Sequence, residues 1–222
     1  MRLTTLVLPA VALFMGCKKD IQQTNALPAA EPIQVVMIMH AVAAFEPWRA
    51  GYAANDTLRQ SHGLSSFAVG RGTTDTNMVI TFNILADVEK ARAFIGSAEL
   101  HDVMLKAGMT DTPRVVFGNV IRRDTQTIAI RERVMITHHV KAFNTWLKAY
   151  DEEGPEVRAS HGLLERAIMR SIDDPSLIYV FMAITDLDKA RARIASEELK
   201  SLMARAGVIG TPEIFFYKLD ES

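Results

Sequence analysis

An internal repeat is the feature that most constrains the fold of this chain. The stretch from Asn77 to Phe117 returns without a gap, 99 residues later, as the stretch from Ser176 to Phe216. At 16 of the 41 aligned positions the two copies carry the same residue. Because each copy specifies the same order of elements, we expect the chain to fold as two similar units.

Each copy predicts a strand, a helical region and a second strand. In the first copy, residues 78–84 are apolar and rich in β-branched side chains, as expected of a buried strand. Asp87 and Ser97 follow at positions typical of helix N-caps, and Gly108 is typical of a left-handed C′ residue. Two N-caps in succession indicate either a kinked helix or two short helices.

The similarity extends to the N-terminal side of each copy. Residues 33–42 and 133–140 have strand character, and a helical segment with aromatic residues at i, i+3 and i+7 follows each of them. A Ser-His-Gly-Leu turn and a further strand come next. The order β-α-β-β-α-β is the ferredoxin-like pattern. We therefore predict an α+β fold with one such repeat in residues 33–120, a linker in 121–131 and a second repeat in 132–220.

The first residues predict an export signal. Arg2 precedes an apolar run that is too short for an ordinary transmembrane helix. The segment 1–17 resembles a bacterial lipoprotein signal peptide, with Phe-Met-Gly-Cys as a slightly irregular lipobox. The resemblance implies cleavage before Cys17 and acylation of that residue, so that the lipid bilayer becomes a partner. The alternative is a plain secretory signal with a chance cysteine.

The next residues and the composition bear on location and partners. Lys18 beside the cysteine resembles the sorting pattern that argues against inner-membrane retention, so we expect a lipid-anchored protein of the cell envelope, in an outer membrane, facing the periplasm or the cell surface. Residues 18–32 contain Gln, Asn, Ala and Pro without apolar periodicity and predict a flexible tether. The net charge of −1 offers no basic excess for nucleic acid, and one cysteine excludes an intramolecular disulfide framework.

The residue spacing that the two repeats share resembles that of the dimeric α/β-barrel superfamily. The pattern H-x-V-x-x-F-x-x-W-x-x-x-Y, followed by G-L, D-L-D-K-A-R, S-x-E-L and A-G-V, is similar to small proteins called antibiotic-biosynthesis-monooxygenase-like or cyclase-like. Such proteins are one repeat long and pair their sheets across a two-fold axis. The resemblance, over about residues 33–219, implies that repeat–repeat pairing forms a pseudo-dimeric barrel and replaces a homodimer. Ala44 and Ala142 depart from the pattern, since relatives often have Asp there.

Three histidines are the candidate catalytic groups. His40 and His138 occupy equivalent strand-end positions, where an imidazole can act as a base or ligand or can be a hydrogen-bonded core residue. His139 points away from His138, because adjacent strand residues face opposite sides, and the first repeat has Ala41 there. We expect a ligand between the repeats near His138 and His139. If His138 packs beneath the helices like His40, His139 is the candidate base.

The candidate ligand-binding residues also occur in equivalent pairs. They are the helical aromatic residues Trp48, Tyr52, Trp146 and Tyr150, the strand-end arginines Arg71 and Arg170, and the turn histidines His62 and His161. The aromatic residues can contact a ligand or fill the core. The arginines can clamp an anion at the barrel mouth or form surface ion pairs with Asp75 and with Asp173 or Asp174. The turn histidines can contact a ligand or cap a loop.

Three classes of function remain open. No H-E-x-x-H, C-x-x-C, P-loop or dinucleotide-binding motif occurs, so no metal site is predicted. The first class is a membrane-anchored lipoprotein that binds a small apolar or aromatic molecule between its repeats and needs no cofactor. The second, implied by the resemblance, is a cofactor-independent monooxygenase-like enzyme acting on a phenolic substrate. The third is a haem-binding protein that uses one histidine.

Overall fold

The structure, a computed structural model, describes residues 33–221. The predicted signal peptide and tether lie outside the described residues, as does Ser222. Within the described part of the chain, no helix is both long enough and apolar enough to cross a bilayer.

Residues 33–221 form eight strands and eight helices, in the order β-α-α-β-β-α-α-β that occurs twice. The strands are β1 (Ile33–Ala41), β2 (Leu64–Gly72), β3 (Met78–Leu85), β4 (Arg114–Arg123), β5 (Glu132–Val140), β6 (Leu163–Ser171), β7 (Leu177–Ile184) and β8 (Val208–Leu219). The helices are α1 (Phe45–Ala54), α2 (Asp56–Ser61), α3 (Val88–Ile95), α4 (Ala98–Lys106), α5 (Phe143–Glu153), α6 (Pro155–Ser160), α7 (Leu187–Ala195) and α8 (Glu197–Arg205). The α+β class predicted from the sequence is confirmed.

All eight strands form one closed antiparallel barrel. Their order around it is β1-β3-β2-β8-β5-β7-β6-β4, after which β4 pairs with β1. The first four strands of the chain therefore lie side by side, as do the last four. The seams β2–β8 and β4–β6 join these two groups. An eight-stranded barrel has an interior just wide enough to be filled by side chains or to hold one small ligand.

The alternation of side chains along each strand produces two kinds of core. Met37, Met135 and Tyr179 belong to a cluster drawn from both halves of the chain, which fills the barrel interior, here called the lumen. The neighbouring residues Val36 and Val134 face outward and pack beneath the helices. Because successive side chains point to opposite faces, each strand contributes to both cores.

The predicted helix boundaries are confirmed. Asp87 accepts a hydrogen bond from the backbone N–H of Lys90 (2.9 Å), and Ser97 Oγ accepts one from the N–H of Leu100 (3.2 Å). Gly108 has a φ of 97°, a left-handed conformation that suits glycine. The equivalent residues of the second half form the same caps. Two short helices, α3 and α4, therefore form in place of one kinked helix.

The sequence did not predict the short helices α2 and α6. Each contains a buried arginine whose guanidinium group donates a hydrogen bond to the preceding helix. Arg59 Nη1 donates to the carbonyl oxygen of Tyr52 at 2.6 Å, and Arg158 Nη1 donates to that of Tyr150 at 2.8 Å. The predicted linker begins too early, because β4 extends to Arg123, and Arg122 and Arg123 pair with β6.

Candidate functional site

A cavity of about 560 Å³ lies in the lumen of the barrel. Phe82 and Phe181, one from each half of the chain, meet edge to face in its wall with their ring centroids 5.3 Å apart. Tyr217 and Met169 add further apolar surface, and the small side chains of Ala68 and Ala167 leave the space open. A cavity of this volume and character is typical of small-molecule sites.

The cavity occupies only one end of the lumen. Met37, Met135 and Tyr179 fill the region beyond it and are almost completely buried. Tyr179 belongs to the other end, where its hydroxyl lies 3.5 Å from Arg114 Nη2, and Arg114 pairs with Glu213 at 2.6 Å. The open end is the one where the chain passes from β4 to β5, because residues 123–128 line the cavity there.

Charged side chains surround this open end, here called the mouth. Arg123, Arg133 and Arg166 line it together with Asp124. Arg166 pairs with Asp124, and its Nη2 also donates to the carbonyl oxygen of Gln126 at 2.5 Å. These contacts attach the connecting segment to β6. The mouth is therefore polar and cationic, whereas the interior of the cavity is apolar.

Two much smaller cavities, of about 50 Å³ each, lie between the barrel and the helices, one in each half. His138, Trp146 and Tyr150 line the second-half cavity, which has a first-half counterpart lined by the equivalent residues of that half. A volume of this size accommodates a few water molecules but no aromatic molecule. The described residues also contain no group of three or more His, Cys, Asp or Glu side chains that could hold a metal ion.

His40 and His138 lie beneath the helices, on the outer face of the barrel. Burial lowers the pKa of both, that of His138 to about 4, so both imidazoles are neutral at pH 7. His40 Nδ1 lies 3.2 Å from the carbonyl oxygen of Ala41. Neither ring nitrogen of His138 has a hydrogen-bond partner within residues 33–221, and its ring centroid lies 5.4 Å from that of Trp146.

His139 lies on the opposite face of β5 from His138, but outside the cavity lining. Its Nδ1 lies 3.1 Å from Ser176 Oγ and 3.4 Å from Asp174, and about half of its side chain is exposed. The cavity adjoins Arg133, at the other end of the same strand. The expected neighbourhood of a ligand, close to His138 and His139, therefore does not coincide with the large cavity, and a role for either histidine in chemistry stays a prediction.

The helical aromatic residues form stacked pairs in the helix–barrel layer. The ring centroids of Trp48 and Tyr52 lie 5.4 Å apart, and those of Trp146 and Tyr150 lie 5.3 Å apart. Tyr52 donates a hydrogen bond to Asn83 Oδ1 at 3.1 Å. None of the four lines the lumen cavity.

The turn histidines and strand-end arginines also lie outside the lumen cavity. His62 stacks on Phe94, with ring centroids 4.0 Å apart, and the equivalent His161 is half-buried. The expected aspartate partners of Arg71 and Arg170 are corrected by the structure. Arg71 lies 3.8 Å from Glu46 and over the ring of Phe45, and Arg170 donates to the carbonyl oxygen of Pro175 at 2.6 Å. Both turn outward, so their guanidinium groups meet the helix layer.

Sequence reasoning missed the residues that do line the cavity. Arg133 alternates with Met135 and Thr137 along β5, which places all three on one face. The position equivalent to Arg133 in the first repeat is Val35. A charged residue at a strand position where the other repeat has an apolar one was the available signal.

Comparisons with known proteins identify the fold. Neither a protein-family model nor a curated protein sequence matches this chain. Among solved structures, an anthrone oxidase-like protein is similar with a TM-score of 0.61 and 14% identity, covering 86% of this chain and 93% of its own. Monooxygenase-like proteins from Lactobacillus acidophilus (TM-score 0.55, 13% identity, 85% and 95% covered) and Fusobacterium nucleatum (0.56, 10%, 87% and 94%) are also similar. This chain therefore has the fold of monooxygenase-like α/β-barrel proteins.

Proposed function

We propose that this protein is a lipid-anchored envelope protein that holds a small apolar or aromatic molecule in the lumen between its two repeats. The observation that carries the proposal is the cavity of about 560 Å³, whose wall combines residues of both halves. The histidine-lined cavities of about 50 Å³ leave no room for such a molecule.

The two seams support the view that the halves form a pseudo-dimer. Gly70 pairs with Leu219 at one seam, and the equivalent Met169 pairs with Val120 at the other. At the first seam a glycine lies on β2 opposite a large side chain on β8, and at the second seam a glycine lies on β4, the equivalent of β8, opposite a large side chain on β6. A Cβ at Gly70 would lie 2.6 Å from Tyr217, whereas a Cβ at Gly118 would lie 2.5 Å from Met169. Gly118 is equivalent to Tyr217, so each seam combines one glycine with one large side chain. Identical copies in a homodimer would give two identical seams, so the difference fits two diverged copies in one chain.

A monooxygenase-like enzyme is the second candidate function. It is favoured by the likeness to monooxygenase-like structures. Oxygen uptake with a panel of phenols separates this function from simple binding. Haem binding through a histidine fits the residues poorly, because no histidine lines the lumen cavity within residues 33–221. The absorption spectrum of the purified protein tests that alternative.

Filling the lumen should abolish binding. Ala167→Phe places a ring in the cavity, so we expect the affinity for the fluorescent neutral probe N-phenyl-1-naphthylamine to fall at least about tenfold, as expected when a ligand loses roughly 1.4 kcal/mol of contacts. Ala68→Phe, at the equivalent position of the first half, should act in the same way. Ala54→Phe adds the same ring to an exposed helix residue and should leave the affinity unchanged. Undiminished binding to both lumen variants would contradict the proposed site.

Acylation of Cys17 is the expected basis of membrane attachment. The apolar run that ends in Gly-Cys motivates this proposal, and Cys17 is the only cysteine of the chain. Metabolic labelling with palmitate should mark the wild-type protein and not Cys17→Ser, and only the wild type should sediment with membranes. Equal labelling of the two would exclude acylation at this residue.

A further inference from the structure

The mouth of the lumen cavity carries more positive than negative charge. Arg123, Arg133 and Arg166 line it, together with the single carboxylate of Asp124. Because Asp124 already pairs with Arg166, it does not neutralise the other two arginines. Among residues 33–221, neither Arg123 nor Arg133 has a carboxylate within ion-pair distance. The mouth therefore attracts an anion.

Arg133 is the more informative of these two arginines, because it is only 7% exposed. Its Nη1 donates to the carbonyl oxygens of Ile130 (2.6 Å) and Glu132 (3.0 Å), whereas the Glu132 carboxylate pairs with Lys218. Burial lowers the pKa of Arg133, but a guanidinium stays protonated in proteins. A buried charge without a counter-ion is destabilising, so its retention needs a reason.

The neighbouring phenol does not supply the missing charge. Burial raises the pKa of Tyr217, so its hydroxyl stays neutral beside Arg133. The hydrogen bonds made by Arg133 within residues 33–221 involve Nη1, which leaves Nε and Nη2 available. A carboxylate can accept two parallel hydrogen bonds from one edge of a guanidinium.

The two halves contribute opposite character to the cavity. Arg133 and Arg166 stand where the first half has Val35 and Phe67, and all four residues line the cavity. At these two positions the second half is therefore cationic and the first half apolar, and Arg123 of β4 lies over the ring of Phe67. Deeper in the lumen, the rings of Phe82 and Phe181 surround a space without charge. This arrangement matches a molecule with a charged end and an apolar body.

We propose that the lumen binds an amphipathic carboxylate, in which Arg133 binds the carboxylate and the apolar rings of the cavity enclose the body. The inference rests on the proposed function and adds the chemical class of its ligand. Arg166, through its contacts with Asp124 and Gln126, holds the connecting segment beside the bound carboxylate.

The test compares two probes that differ in charge and share one ring system, 1-naphthaleneacetate and 1-naphthaleneacetamide. Isothermal titration calorimetry on the purified protein should show that the acid binds about 10- to 100-fold more tightly, the range expected of hydrogen bonds to a charged group. Arg133→Met should abolish this preference, chiefly by weakening the binding of the acid. Arg133→Lys keeps the charge without the planar fork and should retain part of the preference.

The control is Arg191→Met, which removes the same charge from an exposed helix residue and should change neither affinity. If wild type binds acid and amide equally, the carboxylate inference is overturned while lumen binding stands. If neither probe nor N-phenyl-1-naphthylamine binds, the proposed function itself fails. Thermal unfolding without ligand tests whether Arg133 has only a structural role. Arg133→Met should melt no lower than wild type. A marked loss of stability with the acid preference intact would overturn the assignment of Arg133 as the carboxylate-binding residue.

Discussion

Glu153→Ala is expected to lower the free energy of unfolding by about 3–5 kcal/mol, the range found when one partner of a buried ion pair is removed. Glu153 lies between two buried guanidinium groups. Its Oε1 accepts from Arg193 Nη2 at 2.6 Å, and its Oε2 accepts from Arg158 Nη1 at 3.3 Å. The side chains of Glu153, Arg158 and Arg193 are only 9%, 6% and 4% exposed. Removal of the carboxylate leaves two cations in a water-poor layer.

The remaining acids cannot replace Glu153. Glu198 lies 3.0 Å from Arg193 but is largely exposed, and Glu165 lies 3.9 Å from Arg158 and is engaged by Arg122 at 2.7 Å. Solvent screens an exposed partner, so its contribution is small. Chemical unfolding followed by circular dichroism measures the loss.

A neighbouring glutamate provides the matched control. Glu152 is 66% exposed and lies 3.8 Å from Lys148, so Glu152→Ala should change the free energy of unfolding by no more than about 0.5 kcal/mol. A loss of less than about 1 kcal/mol for Glu153→Ala would show that the buried cations do not depend on this carboxylate.

The first half of the chain suggests a second substitution that restores part of the stability lost in Glu153→Ala. Arg193 is equivalent to Phe94, a buried ring that stacks on His62. Adding Arg193→Phe to Glu153→Ala removes one of the two uncompensated charges and puts apolar surface in its place. The double variant should therefore be more stable than Glu153→Ala alone, because a hydrophobic side chain of suitable size often replaces a buried ion pair without loss.

Two substitutions that exchange the small and the large side chain at the β2–β8 seam are expected to have strongly non-additive effects on the free energy of unfolding. Gly70→Met alone should cost about 1–3 kcal/mol, because its Cβ would lie 2.6 Å from Tyr217 Cδ2. Tyr217→Gly alone should cost about 3–5 kcal/mol through loss of a buried ring. The double variant reproduces the arrangement of Met169 and Gly118 at the other seam, so its cost should be lower than the sum of the single costs by up to about 3 kcal/mol.

Gly162→Met is the control for this exchange. A Cβ at residue 162 would lie 2.6 Å from the backbone oxygen of Asp186, which Tyr217→Gly cannot move. Gly162→Met should therefore destabilise the protein to the same extent with or without Tyr217→Gly. Additive costs for the pair at residues 70 and 217 would contradict the idea that the two seams are equivalent contacts of diverged copies.

Local sequence patterns determined the order of the strands and several helix boundaries, but not the short helices α2 and α6. The side chains of Asp87 and Ser97 cap their helices as predicted, because an N-cap bond joins residues three positions apart and needs no tertiary partner. Gly108 ends α4 for a similarly local reason. Alternation along a strand is also a local property, so the sequence predicted that His138 and His139 face opposite sides, but not which of them faces the helices.

The location of the cavity was decided by tertiary structure alone. Arg133 and Arg166 are 33 positions apart on different strands and reach the same mouth only because β5 and β6 flank β7 in the sheet. The histidines and aromatic residues drew attention through their repetition, but they pack into a layer where the helices leave about 50 Å³. Local sequence specifies which way a side chain points. The size of the cavity depends on how closely side chains from all eight strands pack, and these contacts between distant residues form only in the folded barrel.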